Sequence, residues 1–505
     1  MKKKVVILGG GTAGWVSAAV LSKALSPQEF EFELVESPDM PTVGVGEASI
    51  PAFYGLLSFL GISDKPLLES ADATFKYGIE FEGWSQPNER YMHGFGKLGC
   101  AFKDTSFFDA WLTHAHQFAE PTLGEYLPTE QASNLNKFGR NTSRPDNAPK
   151  SAFYPSNNLY YALHFDALRL AEILKEFAKK RGVKHTQGTV ERVRKDDSGI
   201  QALLLKEGFV VRGDLFVDAS GLAGRLIKQE LNAEFDDWSH WLLCNSAMAM
   251  QSQAQQPLPP YTRSVAQAAG WTWHIPLQNR MGNGYVYCDR FITDERVEQV
   301  LRQSLSGAPI NDPKIIRFTT GRLHSPWEKN CIAIGLSAAF LEPLESTSIH
   351  LIIKAAISLA SELHTRKPIA DAAVAFNDLH ERDTLQIRDF LILHYLVNQR
   401  EQPFWLAARS IDVPESLQAQ LQSFTETGKV NLSSDALFGP ESWYQVLIGQ
   451  KYLANYQAFA SDQHGDLTGF FSSVKQAISQ EVGKLDDHSS YIKQLLQREQ
   501  QLSKA

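Results

Sequence analysis

The chain has 505 residues, 43% hydrophobic and 21% charged, a composition that excludes a disordered, collagen-like or membrane-spanning protein. A net charge of −8 leaves no broad basic face for a nucleic-acid backbone. The four cysteines, Cys100, Cys244, Cys288 and Cys331, form no CxxC pair, so neither a disulfide framework nor a zinc site is supported.

The opening Met-Lys-Lys-Lys imitates a signal peptide but runs straight into a glycine loop with no cleavage-type segment. It reads as a first strand of a cytoplasmic protein. Val5 to Leu8 is a short apolar run, as in a buried parallel strand. Gly9-Gly10-Gly11-Thr12-Ala13-Gly14 follows, then an alanine-rich helix from Trp15 to Leu25 and a strand from Phe30 to Val35 ending in Glu36. In this strand–turn–helix–strand context, Gly9, Gly11 and Gly14 permit a tight turn, close approach of a pyrophosphate and helix–strand packing. The helix N-terminus offers its amides to phosphate, and Glu36, about 20 residues past the last glycine, suits a ribose diol. The pattern predicts dinucleotide binding.

Residues 73–84 alternate, with Phe75, Tyr77, Ile79 and Phe81 on one face of a strand and Thr74, Lys76, Gly78 and Glu80 on the other. Residues 133–150, rich in Asn, Ser, Arg and Pro, read as a long exposed loop. A helix from about Phe165 to Arg181 leads into strands near 184–217, ending at Asp218-Ala219-Ser220-Gly221, a turn that could approach a cofactor. Helical periodicity dominates from Ile349 onward, notably over 353–365 and 372–396, and the last twenty residues read as a polar, solvated helix. The division expected is an α/β module over 1–350 and a mostly helical one over 351–505, packed as one body.

Four segments carry a family resemblance. Gly9 to Trp15 (GGGTAGW), Gly44 to Pro51 (GVGEASIP), Trp271 to Pro276 (WTWHIP) and Leu341 to Thr347 (LEPLEST) together resemble the flavin-dependent tryptophan halogenases. The resemblance implies a Rossmann-like, FAD-binding fold of flavoprotein monooxygenase type with a mostly helical C-terminal part covering the substrate. It implies FADH2 from a separate flavin reductase, O2, and chloride or bromide oxidised to hypohalous acid, which halogenates an electron-rich, indole-like arene. A homodimer is left open. Flavin contacts are expected at Gly9, Gly11, Thr12, Ala13, Gly14, Glu36, Glu47, Ala48, Val190, Leu336 and Ile349.

Lys76 taken alone is a strand lysine snorkelling to water. The resemblance makes it the essential lysine, polarising the hypohalous acid by a hydrogen bond or carrying the halogen as a haloamine. Glu345, by itself a carboxylate near a helix N-terminus, becomes the group that helps align the halogenating species and takes up the arene proton. Thr347 and Ser348 would present backbone amides to halide; Ser348 stands where these halogenases commonly have glycine. Trp271 and Trp273 read alone as core packing, and in the family as a wall that keeps oxygen-activated flavin from hydroxylating the arene. His93 and Phe95 resemble the pair that stacks on the indole, and Ser346, Trp443 and Tyr444 complete the substrate-side candidates. The segment before that last aromatic pair, residues 433–439, lacks the Phe-Trp of enzymes acting on free tryptophan, and Asp435 is the only nearby acid before Glu441. An indole-like substrate is therefore expected, with free tryptophan a poor one. Two rival readings, a single-component aromatic hydroxylase and a non-catalytic flavin carrier, leave the tryptophan wall or the Lys76 and Glu345 pair without a purpose.

Overall fold

A computed structural model describes residues 2–39, 46–143, 153–452, 456–461 and 467–502. Contacts divide the chain into two units, each assembled from three stretches: 1–73, 165–240 and 317–388 in the first, and 74–164, 241–316 and 389–505 in the second.

The first unit is built on a six-stranded sheet. Its order is Trp327–Glu328, Cys331–Ala333, Leu215–Asp218, Lys3–Leu8, Phe30–Glu36, Lys184–Gln187, parallel except for the first pair. Val5 registers with both Leu215 and Phe32, so the first strand is central, and Val5, Val6 and Ile7 are wholly buried, as the apolar run predicts. The predicted Trp15–Leu25 helix spans Thr12–Ala24, and nine of its residues are buried because other helices cover it. The helix predicted from Phe165 spans Ala167–Lys180. Asp166 caps it, accepting from the N–H groups of Leu168 (2.8 Å) and Arg169 (3.2 Å).

The second unit centres on a mostly antiparallel sheet. Its strands run Lys314–Arg317, Ser246–Gln253, Arg280–Tyr287, Gly270–Pro276, Thr262–Gln267, Gly78–Glu82, Arg90–Gly94, with Thr262–Gln267 and Gly78–Glu82 parallel. Here the structure corrects three expectations. The alternating stretch 73–84 is two strands, Thr74–Lys76 and Gly78–Glu82, in different sheets. The break falls at Tyr77, whose N–H turns to the Pro260 carbonyl (2.6 Å). Both faces of Thr74–Lys76 are covered, so the alternation marks no solvent face. The supposed loop from 133 begins with the end of a helix, Pro128–Asn134, and a strand, Lys137–Phe138, with Phe138 wholly buried; 144–152 lie outside the described residues. The C-terminal helix, His488–Leu502, is docked rather than solvated, through buried His488 and Ile492. Among the described residues no helix is long and apolar enough to cross a membrane.

Candidate functional site

In the first unit, the three glycines of the loop serve different ends. Gly9 has φ +123°, and a Cβ there would lie 2.2 Å from the Ala219 carbonyl oxygen, so the turn itself requires glycine. A Cβ on Gly14 would meet the Gly9 carbonyl at 1.8 Å, which ties the helix to the turn. Gly11 is different: its backbone is extended and none of the described residues lies within 4 Å of its Cβ position. The helix has no side-chain cap, and its first backbone bond runs from Trp15 N–H to Gly11 C=O (3.1 Å). The preceding amides, at Thr12, Ala13 and Gly14, thus head the helix beside open space, an anion cradle by construction.

Glu36 ends its strand with its carboxyl laid over Gly10, and its Oε2 bonds His185 Nε2 at 2.8 Å. This set fits a flavin dinucleotide: free amides for the pyrophosphate, and a carboxylate, oriented by His185, for the ribose. Glu47 and Ala48 belong to the short strand Gly46–Ala48, and burial pushes the Glu47 carboxyl up to about 7. Gly44 and Val45 lie outside the described residues. Val190 and Leu336 are half-buried and Ile349 is buried.

The segment around Glu345 is a single turn, Pro343–Glu345, followed by Ser346 in the left-handed region at φ +58° and by the helix Ser348–His364. Glu345 and Thr347 are buried, and the Thr347 Oγ1 has no hydrogen-bond partner among the described residues. The first bond of the helix is Leu351 N–H to Thr347 C=O, 3.0 Å. The amides of Ser348, Ile349 and His350 precede it, a donor set suited to a small anion. Ser348 is helical, so a residue other than glycine costs nothing there. A small cavity lies beside Leu336 and Ser348, lined also by Leu341, Leu351 and His380.

In the second unit, Lys76 is wholly buried, against the expectation of a lysine reaching water. Its Nζ lies 5.4 Å from the centroid of the Phe95 ring, close enough for a cation–π contact. Its strand pairs with Ala162–Asp166, Thr74 facing His164 and Lys76 facing Ala162. The Thr74 hydroxyl donates to the Pro276 carbonyl (2.6 Å), at the end of the tryptophan strand. Its oxygen must then accept from His164 Nδ1 (3.0 Å), which leaves His164 Nε2 to accept from the Thr262 hydroxyl (2.9 Å). This fixes His164 as the neutral Nδ1–H tautomer. Burial, with the Lys76 charge nearby, holds its pKa well below the usual value.

His93 is buried, its ring 5.6 Å from Phe390 and 5.9 Å from Phe438. Phe390 stacks on Phe438 at 4.1 Å and lies 5.6 Å from Trp443. Gln445 anchors the loop by accepting from Gly94 N–H (2.9 Å). The Trp443-Tyr444 pair is divided, since neighbours on a helix point about 100° apart. Trp443 joins the His93 cluster through Phe390, and Tyr444 stacks on Phe108 at 3.6 Å. Phe390 and Phe438 escaped the sequence reading, although Phe438 stands inside the segment that reading singled out.

Trp271 and Trp273 sit on the fully buried strand Gly270–Pro276, their rings 6.2 Å apart. Trp273 faces Gly284 on the neighbouring strand, where a Cβ would stand 2.0 Å from the indole; glycine there lets the ring lie across the strand. Trp271 packs against Trp84 at 6.2 Å.

Burial also pushes His274, His350 and His488 down to about 4 and His380 to about 3. Above pH 6.5 these rings are neutral folded or unfolded. Below it the unfolded chain takes up protons that the folded chain refuses. Unfolding free energy is therefore expected to fall between pH 6.5 and about 4, by up to about 3 kcal/mol for His488 alone. Urea unfolding at about pH 7 and about pH 4.5 checks this; equal free energies would contradict it.

The Tryptophan halogenase family model matches residues 4–464. The chain is 33% identical over 476 residues to tryptophan 6-halogenase SttH from Streptomyces toxytricini, covering 88% of this chain and 89% of that one. Among solved structures it is similar to Xcc4156, a flavin-dependent halogenase from Xanthomonas campestris (35% identity, TM-score 0.89, 98% of each chain covered). It is also similar to BrvH, a flavin-dependent halogenase from Brevundimonas sp. BAL3 (32% identity, TM-score 0.90, 98% and 99% covered). With the glycine cradle, the buried lysine and the tryptophan strand in place, these matches show that the chain belongs to the tryptophan halogenase family and is a flavin-dependent halogenase.

Proposed function

We propose that the protein uses FADH2 from a separate flavin reductase, O2 and chloride or bromide to halogenate an indole-like arene. Lys76 directs the halogen. The observation that carries this reading is the wholly buried Lys76 set over Phe95, a costly placement for an amine that only served solubility. Bound at the glycine cradle, reduced flavin with O2 supplies the oxidising equivalents that make halide electrophilic. Gly11, Thr12, Ala13, Gly14 and Glu36 hold the dinucleotide, and the amides of Thr347 and Ser348 hold the halide. Lys76 then either donates a hydrogen bond to hypohalous acid or is halogenated on its nitrogen, losing a proton; in both cases the electrophilic halogen stays bound beside the protein. Replacement of the arene hydrogen releases a proton, for which Glu345 is the acceptor, and the O–X bond breaks with the hypohalous oxygen leaving as water. Trp271 and Trp273 act by exclusion.

The test is incubation with FAD, a generic flavin reductase, NADH, bromide and indole. Brominated indole by mass is expected; an oxygenated product, or flavin turnover with no change in the arene, would overturn the reading.

Substrate choice follows from the same unit. A site for free tryptophan must pair the ammonium as well as seat the indole. Asp435, however, is exposed, its carboxylate taken by the Ser433 hydroxyl at 2.7 Å, while Phe438 packs into the aromatic cluster. One unmade hydrogen bond to a charge costs roughly 1–3 kcal/mol, so indole should outcompete L-tryptophan by about ten- to a hundredfold in one vessel. Equal rates, or a faster reaction of tryptophan, would show that its charges find partners elsewhere.

A further inference from the structure

The lysine strand is three residues long, and one of its amides is held by a side chain from the far end of the chain. Phe75 N–H donates to His488 Nε2 at 3.1 Å across 413 residues of sequence. The other ring nitrogen, Nδ1, lies 3.2 Å from the Leu258 carbonyl oxygen. A carbonyl can only accept, so the proton sits on Nδ1 and the Nε2 lone pair is the one Phe75 uses. His488 has no solvent exposure. Its own N–H donates to the Asn136 carbonyl (2.9 Å), and the preceding Asp486–Asp487 pairs with Lys137–Phe138.

The same two segments enclose the Phe75 ring. Phe138 stacks on it at 4.2 Å, and Tyr491, on the next turn after His488, meets it edge-on at 5.8 Å. Phe75 is thus gripped by backbone and by ring, and its covalent neighbour Lys76 projects to the opposite side of the strand. The family match stops at residue 464, so His488 and Tyr491, the C-terminal side of this clamp, lie beyond it.

We propose that His488 is a positioning residue for Lys76, through which the C-terminal helix sets the aim of the amine. The inference rests on Lys76 as the residue that directs the halogen. Among the described residues this short strand, ending in a break at Tyr77, is paired on one side only, with Ala162–Asp166, and His488 holds the Phe75 amide at its outer edge. A misplacement of about 1 Å at a directing group costs on the order of 10²-fold in rate.

The experiment compares His488→Ala, His488→Leu, His488→Gln and Lys76→Ala in one assay with FAD, reductase, NADH, bromide and indole. Readouts are kcat and KM for indole, oxidised bromine escaping to dimedone in solution, FAD affinity and Tm. His488→Ala and His488→Leu should lower kcat about 10²-fold, with KM within about twofold, more bromine trapped by dimedone and FAD affinity unchanged. His488→Gln can accept from Phe75 and donate to Leu258, and should return kcat to within about threefold of the parent. Undiminished kcat in His488→Ala while Lys76→Ala is inactive overturns this inference alone; halogenation by Lys76→Ala overturns the reading beneath it. Failure of both His488→Ala and His488→Leu to fold, or parallel loss of FAD affinity and bromide oxidation, also overturns it, because the imidazole would then hold the fold and not the lysine.

Discussion

Lys76→Ala is expected to abolish halogenated indole while halide-dependent oxidation continues. Lys76 is not itself assigned to flavin or halide, so FAD affinity and halide oxidation should persist. Product formation should fall by about 10²- to 10⁴-fold, the usual contribution of a positioned proton donor or of a group that stabilises developing charge. Oxidised halogen should then escape to a scavenger in solution. A cavity in place of the buried side chain is the obvious confounder. Lys76→Met controls for it by keeping most of the volume without the amine. Product mass, reductase-driven NADH consumption and Tm together decide the matter. Regioselective halogenation retained in Lys76→Met would end the assigned role.

Gly11→Val should cost FAD affinity at least about a hundredfold, equivalent to about 2.8 kcal/mol, with little change in Tm. Gly11 has φ −80° and ψ −171°, a conformation open to any residue, and among the described residues no atom lies within 4 Å of its Cβ position. A Cβ there therefore meets none of the described residues, and a valine side chain would stand at the head of the helix amides. Gly9→Ala and Gly14→Ala provide the contrast. Both place a methyl group on backbone, at 2.2 and 1.8 Å, and should lower Tm together with affinity. Fluorescence titration of FAD and thermal melts separate the two behaviours. Normal FAD binding by Gly11→Val would remove the cradle assignment.

The flavin end was legible because its information is local. From Val5 to Glu36, apolar run, glycine spacing, helix and terminal acid fall within one short stretch, although Gly9 is also required by the distant Ala219 carbonyl. The loop at Glu345 was legible for the same reason. Around Lys76 the pattern misled, because alternation reports faces but not what covers them. One face of Thr74–Lys76 is closed by His164, Thr262 and Pro276, the other by Phe138, Tyr161 and Tyr491. These partners lie tens to hundreds of residues away, and no periodicity in the strand can register them. His488 in a polar C-terminal tail carried no signal, since burial there comes from docking onto Asn136 and Phe75 and not from hydrophobic content. By itself the sequence determined the strand–glycine turn–helix unit and the family. Only the tertiary structure decided that the lysine is dry, that two neutral histidines grip its neighbours, and that Phe390 and Phe438 complete the aromatic cluster, because each depends on contacts between segments that chain order keeps apart.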